Sequence, residues 1–139
     1  MASVSTFPLL EFQFDGSFKS SRTCCSGAGV VLWFTPAGSS RREKVWYCSQ
    51  KLHAVSNNEA EYQAFIKCLE TAKEFNLPYI LITGDSQLVI DQFNGWAKCQ
   101  ARNLIQLKKR AKVAAAHISS VLVRHVLREF NKEADRLAN

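Results

Sequence analysis

Four carboxylates stand where the chain is expected to change direction. Asp15 closes an alternating apolar run, and Asp85 follows the short apolar run Tyr79 to Thr83. Glu61 lies in the first turn of a long amphipathic stretch, and Asp135 in the first turn of the last one. In open α/β sheets, sites collect beyond the carboxyl ends of strands. If the strands ending at Asp15 and Asp85 are neighbours, both side chains face one crevice, and Glu61 and Asp135 can converge on it. Such a cluster repels itself unless cations occupy it. Hard oxygen ligands with open positions suit Mg²⁺ or Mn²⁺. Two such ions can clamp an in-line phosphoryl displacement at its attacking and leaving oxygens.

Each carboxylate also has a purely structural reading. Glu61 three residues after Asn58 makes a capping-box pattern. Asp135 in a first turn favours the helix dipole. Asp15 before Gly16 is turn chemistry, and Asp85 adjoins the helix cap Ser86.

The elements that must position these groups follow from periodicity. Residues 9–15 alternate, with Leu10, Phe12 and Phe14 on one face, and predict a strand. Residues 27–34 and 44–52 predict two more, with turn chemistry at 35–40. From Asn58 the period becomes helical, with Tyr62, Phe65, Ile66, Leu69 and Ala72 as a stripe to Phe75, capped by Asn57 or Asn58. Residues 79–83 read as a buried parallel strand. Ser86 caps a short helix ending near Asn94-Gly95, and a further helix spans about 102–116. Residues 118–126 are β-rich, and Asn131 caps a last helix. The order βββαβααβα predicts an α/β fold: a mixed five-stranded sheet, three strands antiparallel and then two parallel, flanked by helices. Residues 1–8 read as a tail and 9–139 as one domain.

Composition narrows the partners. Among 139 residues, 18 Lys and Arg against 12 Asp and Glu give a net charge of +6. Apolar residues make up 47% and charged residues 22%, which excludes a disordered tail, a collagen-like repeat and a coiled coil. No apolar run approaches a membrane span, and the N-terminus carries no secretory signal pattern. Five Cys, at 24, 25, 48, 68 and 99, show no zinc spacing. They read as free thiols in a reducing compartment, cytoplasm or nucleus. Residues 92–128 contain eight basic groups and no acid, including Lys108, Lys109 and Arg110. Such a stripe is either a solvated helix face or a surface for a phosphate backbone.

The sequence runs Phe14-Asp15-Gly16-Ser17, then Gly27-Ala28-Gly29-Val30-Val31-Leu32, then Ser56-Asn57-Asn58-Glu59-Ala60-Glu61-Tyr62, then Gly84-Asp85-Ser86-Gln87, then His125 to Ala138 (HVLREFNKEADRLA). In order and spacing these resemble the motifs of the type 1 ribonuclease H family over nearly the whole chain. The resemblance implies an RNase H-like fold and two-metal-ion endonucleolytic cleavage of the RNA strand of RNA–DNA hybrids, leaving 5′-phosphate and 3′-hydroxyl ends. It implies Mg²⁺, with Mn²⁺ as substitute, held by Asp15, Glu61, Asp85 and Asp135. It places His125 where the family has a mobile histidine assisting proton transfer or product release. It puts Gly16, Ser17, Asn57, Asn58 and Gln87 on the nucleic acid, Ser56 on a DNA phosphate and Trp96 on the DNA strand. An indole at Trp96 suits a core plug equally well.

Residues 18–26 lack the Gly-Asn-Pro-Gly run of cellular members, and 95–102 is too short for a basic handle helix. The handle-less form is similar to archaeal-type enzymes and to the RNase H domains of LTR retrotransposons. That implies either a cellular enzyme of the archaeal type or a domain of a reverse transcriptase or polyprotein, monomeric when isolated. The alternative is a catalytically silent RNase H-like module binding nucleic acid or a protein.

Overall fold

Leu10, Phe12 and Phe14 alternate with Glu11, Gln13 and Asp15, so one strand sends apolar groups to one side and polar groups to the other. In the computed structural model, which describes residues 6–20 and 25–139, that strand is the centre of the sheet. The elements are β1 (Leu9–Ser20), β2 (Cys25–Thr35), β3 (Glu43–Leu52), α1 (Asn57–Glu74), β4 (Tyr79–Gly84), α2 (Gln87–Asn94), α3 (Arg102–Ala115), β5 (Ser120–His125) and α4 (Lys132–Ala138). A 3₁₀ turn over Arg128–Phe130, absent from the sequence reading, precedes α4.

The sheet order is β3-β2-β1-β4-β5. β1–β2 and β2–β3 are antiparallel, and β1–β4 and β4–β5 are parallel. This is the mixed sheet expected. The main core lies between the sheet and α1, α2 and α3. Phe12, Phe14, Tyr62, Phe65, Leu69 and Ile82 are fully buried there. Phe65 stands 5.3 Å from Phe14 and 4.9 Å from Phe93, ring centre to ring centre. Burying one such phenyl group contributes about 2–3 kcal/mol. The opposite face has a smaller cluster, Val31, Ala134 and Leu137 with Trp33 against it, under α4.

The first hairpin differs most from expectation. β1 continues past Asp15 to Ser20, and β2 begins at Cys25. Asp15-Gly16 is therefore mid-strand, not a turn. The antiparallel ladder carries on through Asp15↔Gly29, Gly16↔Ala28 and Ser17↔Gly27. Glycine at 16 answers to packing: a Cβ there would overlap the backbone of Ala60 and Glu61 in α1. A Cβ on Gly29 would likewise overlap Ala134 and Ala138 of α4. Two helices thus rest directly on strand backbone.

Two caps also differ. The N-cap of α1 is Ser56, whose Oγ accepts from the Glu59 N–H at 3.2 Å. Asn57 and Asn58 are helical residues instead. Asn131 precedes α4, but its side chain makes no cap bond. Ser86 caps α2 as expected, and Gly95 ends it in a left-handed conformation. Cys48, Cys68 and Cys99 carry free thiols, and burial pushes the Cys68 thiol up. Cys24 lies outside the described residues. Among the described residues, no helix is long and apolar enough to cross a membrane.

Candidate active site

The parallel ladder between β1 and β4 stops at Phe14↔Gly84. Asp15 is the next residue on one strand and Asp85 the next on the other, so both sit at the mouth of the gap between them. α1 brings Glu61 to the same gap. The Gly16 backbone N–H donates to Glu61 Oε1, which ties helix to strand at this point. Carboxylate oxygens of Asp15, Glu61 and Asp85 lie within 4.8 Å of one another. Asp135 of α4 lies outside that trio but lines the same crevice. Glu61 therefore sits in the carboxylate cluster and is not the capping glutamate. The residue three after the actual N-cap is Glu59, which accepts from Asn103 Nδ2 at 2.8 Å.

The trio is electrostatically costly. Burial pushes the Asp15 carboxyl up to about 10, helped by the charges of Glu61 and Asp85 and by hydrogen bonds with Asp135 and Glu61. Burial likewise lifts Glu61 to about 7, against the lowering effect of the Gly16 N–H. Like charges that cannot ionise together share protons, or are neutralised by a cation. An all-carboxylate, all-oxygen donor set fits a hard divalent cation, with Asp15, Glu61 and Asp85 as its holders. Such an ion would invert the local pKa logic.

The rim of the crevice carries donors. Gly16, Ser17, Asn57 and Asn58 line it beside the carboxylates. Ser17 Oγ is engaged with the Ala138 carbonyl at 2.7 Å. Arg128 and Lys19 also line it, and sequence reasoning missed both. Arg128 was legible only as one charge in the acid-free stretch, and Lys19 depended on β1 running beyond Asp15. Arg128 reaches Asp135 at 3.6 Å, an exposed contact worth little by itself.

Other expected groups lie farther out. Gln87 opens α2, is exposed, and donates to Asp91 Oδ1 at 2.8 Å. Trp96 is 73% exposed, which removes the core-plug reading. His125 ends β5, is exposed, and is absent from the residues lining the crevice. Lys108, Lys109 and Arg110 sit on α3 and do not line it either. Lys109 and Arg110 border a groove against α1 that also holds Glu70 and Glu74. The stripe that is acid-free along the chain is thus not acid-free in space.

Residues 13–139 match the family described as "Reverse transcriptase-like". A "Ribonuclease HI" of Halobacterium salinarum is 38% identical over 126 residues, 91% of this chain and 60% of that protein. The chain thus spans less than two thirds of that relative's length. The crystal structure of RNase H1 from the same archaeon superposes with a TM-score of 0.79, at 29% identity over 94% of both chains. The N-terminal RNase H domain of a Mycobacterium tuberculosis protein gives a TM-score of 0.81 at 28% identity, covering 99% of this chain and 92% of that one. A foamy viral protease-reverse transcriptase, solved in complex with RNA/DNA hybrid, shares the fold. Its TM-score is 0.76 at 19% identity, over 99% of this chain and 20% of that one.

Proposed function

The chain belongs to the reverse transcriptase-like family, and from that membership we propose that it is a ribonuclease H, an endonuclease that hydrolyses the RNA strand of RNA–DNA hybrids. The observation that carries this is the convergence of Asp15, Glu61 and Asp85 where the parallel β1–β4 ladder stops. The ribonuclease HI relative at 38% identity and the RNase H fold support it. With all four carboxylates lining one crevice, a catalytically silent module is the weaker reading.

Asp15, Glu61 and Asp85 hold the metal in this reading, and Asp135 completes the set from the rim. Two Mg²⁺ ions, with Mn²⁺ as substitute, would supply activation of the attacking water and stabilisation of the leaving 3′-oxygen. The products carry 5′-phosphate and 3′-hydroxyl ends. The chain's own groups bind and orient the duplex. Carboxamides at Asn57, Asn58 and Gln87 both donate and accept, which suits a 2′-hydroxyl and base edges in a shallow minor groove. Gly16, Ser17 and Ser56 offer small polar contacts near the backbone. The exposed Trp96 offers a ring face to the DNA strand. His125, exposed at the end of β5, moves a proton or helps product leave.

Labelled RNA–DNA hybrid, double-stranded RNA and double-stranded DNA, each with Mg²⁺ or EDTA, test the reading. Cleavage of the hybrid with Mg²⁺ and none with EDTA is expected. A folded preparation that leaves the hybrid intact in Mg²⁺ sinks it. Asp85→Asn should keep hybrid binding and lose cleavage, and a full-speed variant removes Asp85 from the site.

Lys108, Lys109 and Arg110 are proposed to meet phosphates beyond the crevice. Replacing all three with Gln should weaken hybrid binding and flatten its dependence on salt, by about one log unit of slope per lost contact. An unchanged slope returns them to a solvated face. Residues 9–139 are taken as the catalytic unit, acting as a monomer, with 1–8 as a tail. The free thiols suit the reducing cell interior. The fold shared with the foamy viral protein supports a retroelement setting.

A further inference from the structure

Asn131 is completely buried, and among the described residues its Oδ1 is the one buried side-chain polar atom without a hydrogen-bond partner. A carboxamide half unsatisfied in a protein interior is a cost, and it is tolerated where the other half is needed. The other half, Nδ2, donates to the Phe14 carbonyl at 2.8 Å and faces Asp85 Oδ1 at 3.4 Å. Rotating the amide by half a turn would set Oδ1 against two acceptors, so the donor must point this way. The backbone carbonyl of Asn131 accepts from the Asp135 N–H at 3.0 Å. One buried residue therefore touches the peptide preceding Asp15, the carboxylate of Asp85 and the backbone of Asp135.

These contacts fall where β1 and β4 have stopped pairing. Beyond Phe14↔Gly84 no ladder bond fixes β1 against the end of β4. The Asn131 amide bridges them there, from an α4 that is seated on β2 through Gly29. We propose that Asn131 is the positioning residue of the carboxylate cluster, holding Asp15 and Asp85 at the separation a divalent cation requires. Outer partners of this type set how well ligands are presented, and their loss costs 10–100-fold in metal affinity or activity.

This inference rests on the reading that Asp15, Glu61 and Asp85 hold divalent ions. Its test is Asn131→Leu, which keeps the branched side-chain skeleton with slightly larger methyl groups and has no donor and no orphaned oxygen. Titrate Mn²⁺ and Mg²⁺ separately against thermal unfolding of wild type and variant, and measure hybrid affinity in EDTA. The expected result is a midpoint ion concentration raised about 10-fold or more in the variant, hybrid affinity in EDTA within about twofold of wild type, and kcat lowered about 10–100-fold. A purely structural asparagine would change the melting temperature and leave the ion midpoint where it was, and that outcome overturns the proposal. Asn131→Ala, read in the same way, serves if the leucine variant does not fold. Failure of both to fold assigns Asn131 to fold stability and also overturns it. If the wild type itself shows no ion-dependent stabilisation, the metal reading fails and this inference falls with it. A responsive wild type matched by the variant sinks the positioning role alone.

Discussion

Asp15→Asn is expected to abolish hybrid cleavage and, in EDTA, to make the protein more stable. The catalytic loss should be about a thousandfold or more, roughly 4 kcal/mol of transition-state stabilisation, because a carboxylate proposed to hold the metal becomes a neutral amide. The gain in stability has a separate cause. Asp15 is buried beside Glu61 and Asp85, so its folded-state pKa lies far above that of the unfolded chain. As pH rises from about 4 through neutrality, the unfolded chain releases this proton while the folded one retains it. Wild-type stability therefore falls with rising pH in this window, at the rate set by the difference in bound protons. Asparagine has no proton to lose. The variant's advantage should grow from near zero at pH 4 to about 1–2 kcal/mol at pH 8, reduced by water screening in the open crevice. Saturating Mg²⁺ should remove most of that advantage by stabilising the wild type through mass action. Thermal melts across pH, with EDTA and with Mg²⁺, decide it. A variant less stable than wild type in EDTA at pH 8 would show that repulsion does not govern this cluster.

Gly16→Ala is expected to be the most damaging single methyl group near the site. The added Cβ overlaps the Ala60 carbonyl and the Glu61 amide, which are backbone and cannot swing aside. α1 must lift from β1, and Glu61 then loses the Gly16 N–H that anchors it. Overpacking of this type costs about 3 kcal/mol or more where backbone must move, a drop in melting temperature of about 10 °C for a domain of this size. Hybrid cleavage should fall with it even where the variant remains folded, because Glu61 travels with the helix. A melt within about 2 °C of wild type would mean that the contact between α1 and β1 is softer than the geometry implies.

How much of this was legible beforehand depended on range along the chain. The strand at Phe12 and Phe14, the stripe Tyr62-Phe65-Leu69 and the cap at Ser86 are local patterns. Their period of two or near four residues states which face is buried. Three of the four carboxylates were legible for a related reason: Asp85 directly follows β4, and Glu61 and Asp135 lie near the starts of α1 and α4, boundaries that local chemistry announces. Three features were not legible. Asp15-Gly16 looks like a turn because the pressure on Gly16 comes from Ala60, 44 positions later. Asn131 looks like a helix cap, since nothing near it in sequence shows that its amide reaches Phe14 and Asp85. Residues 92–128 look uniformly basic until α1 sets Glu70 and Glu74 beside Lys109 and Arg110.

The sequence alone therefore determined the element order and the mixed sheet, and it singled out four carboxylates as candidates. Side-chain period and residue chemistry are properties of a few neighbouring positions, and the motifs repeat them in a recognisable order. Only the tertiary structure decided what each group meets. It distinguished the trio of Asp15, Glu61 and Asp85 from an Asp135 at the rim. It turned a capping asparagine into a bridge between β1 and the end of β4, and a basic stripe into a groove of both signs. Hydrogen bonding and Coulomb repulsion act over a few ångströms of space. Closure of the sheet, which puts β4 beside β1, sets those distances.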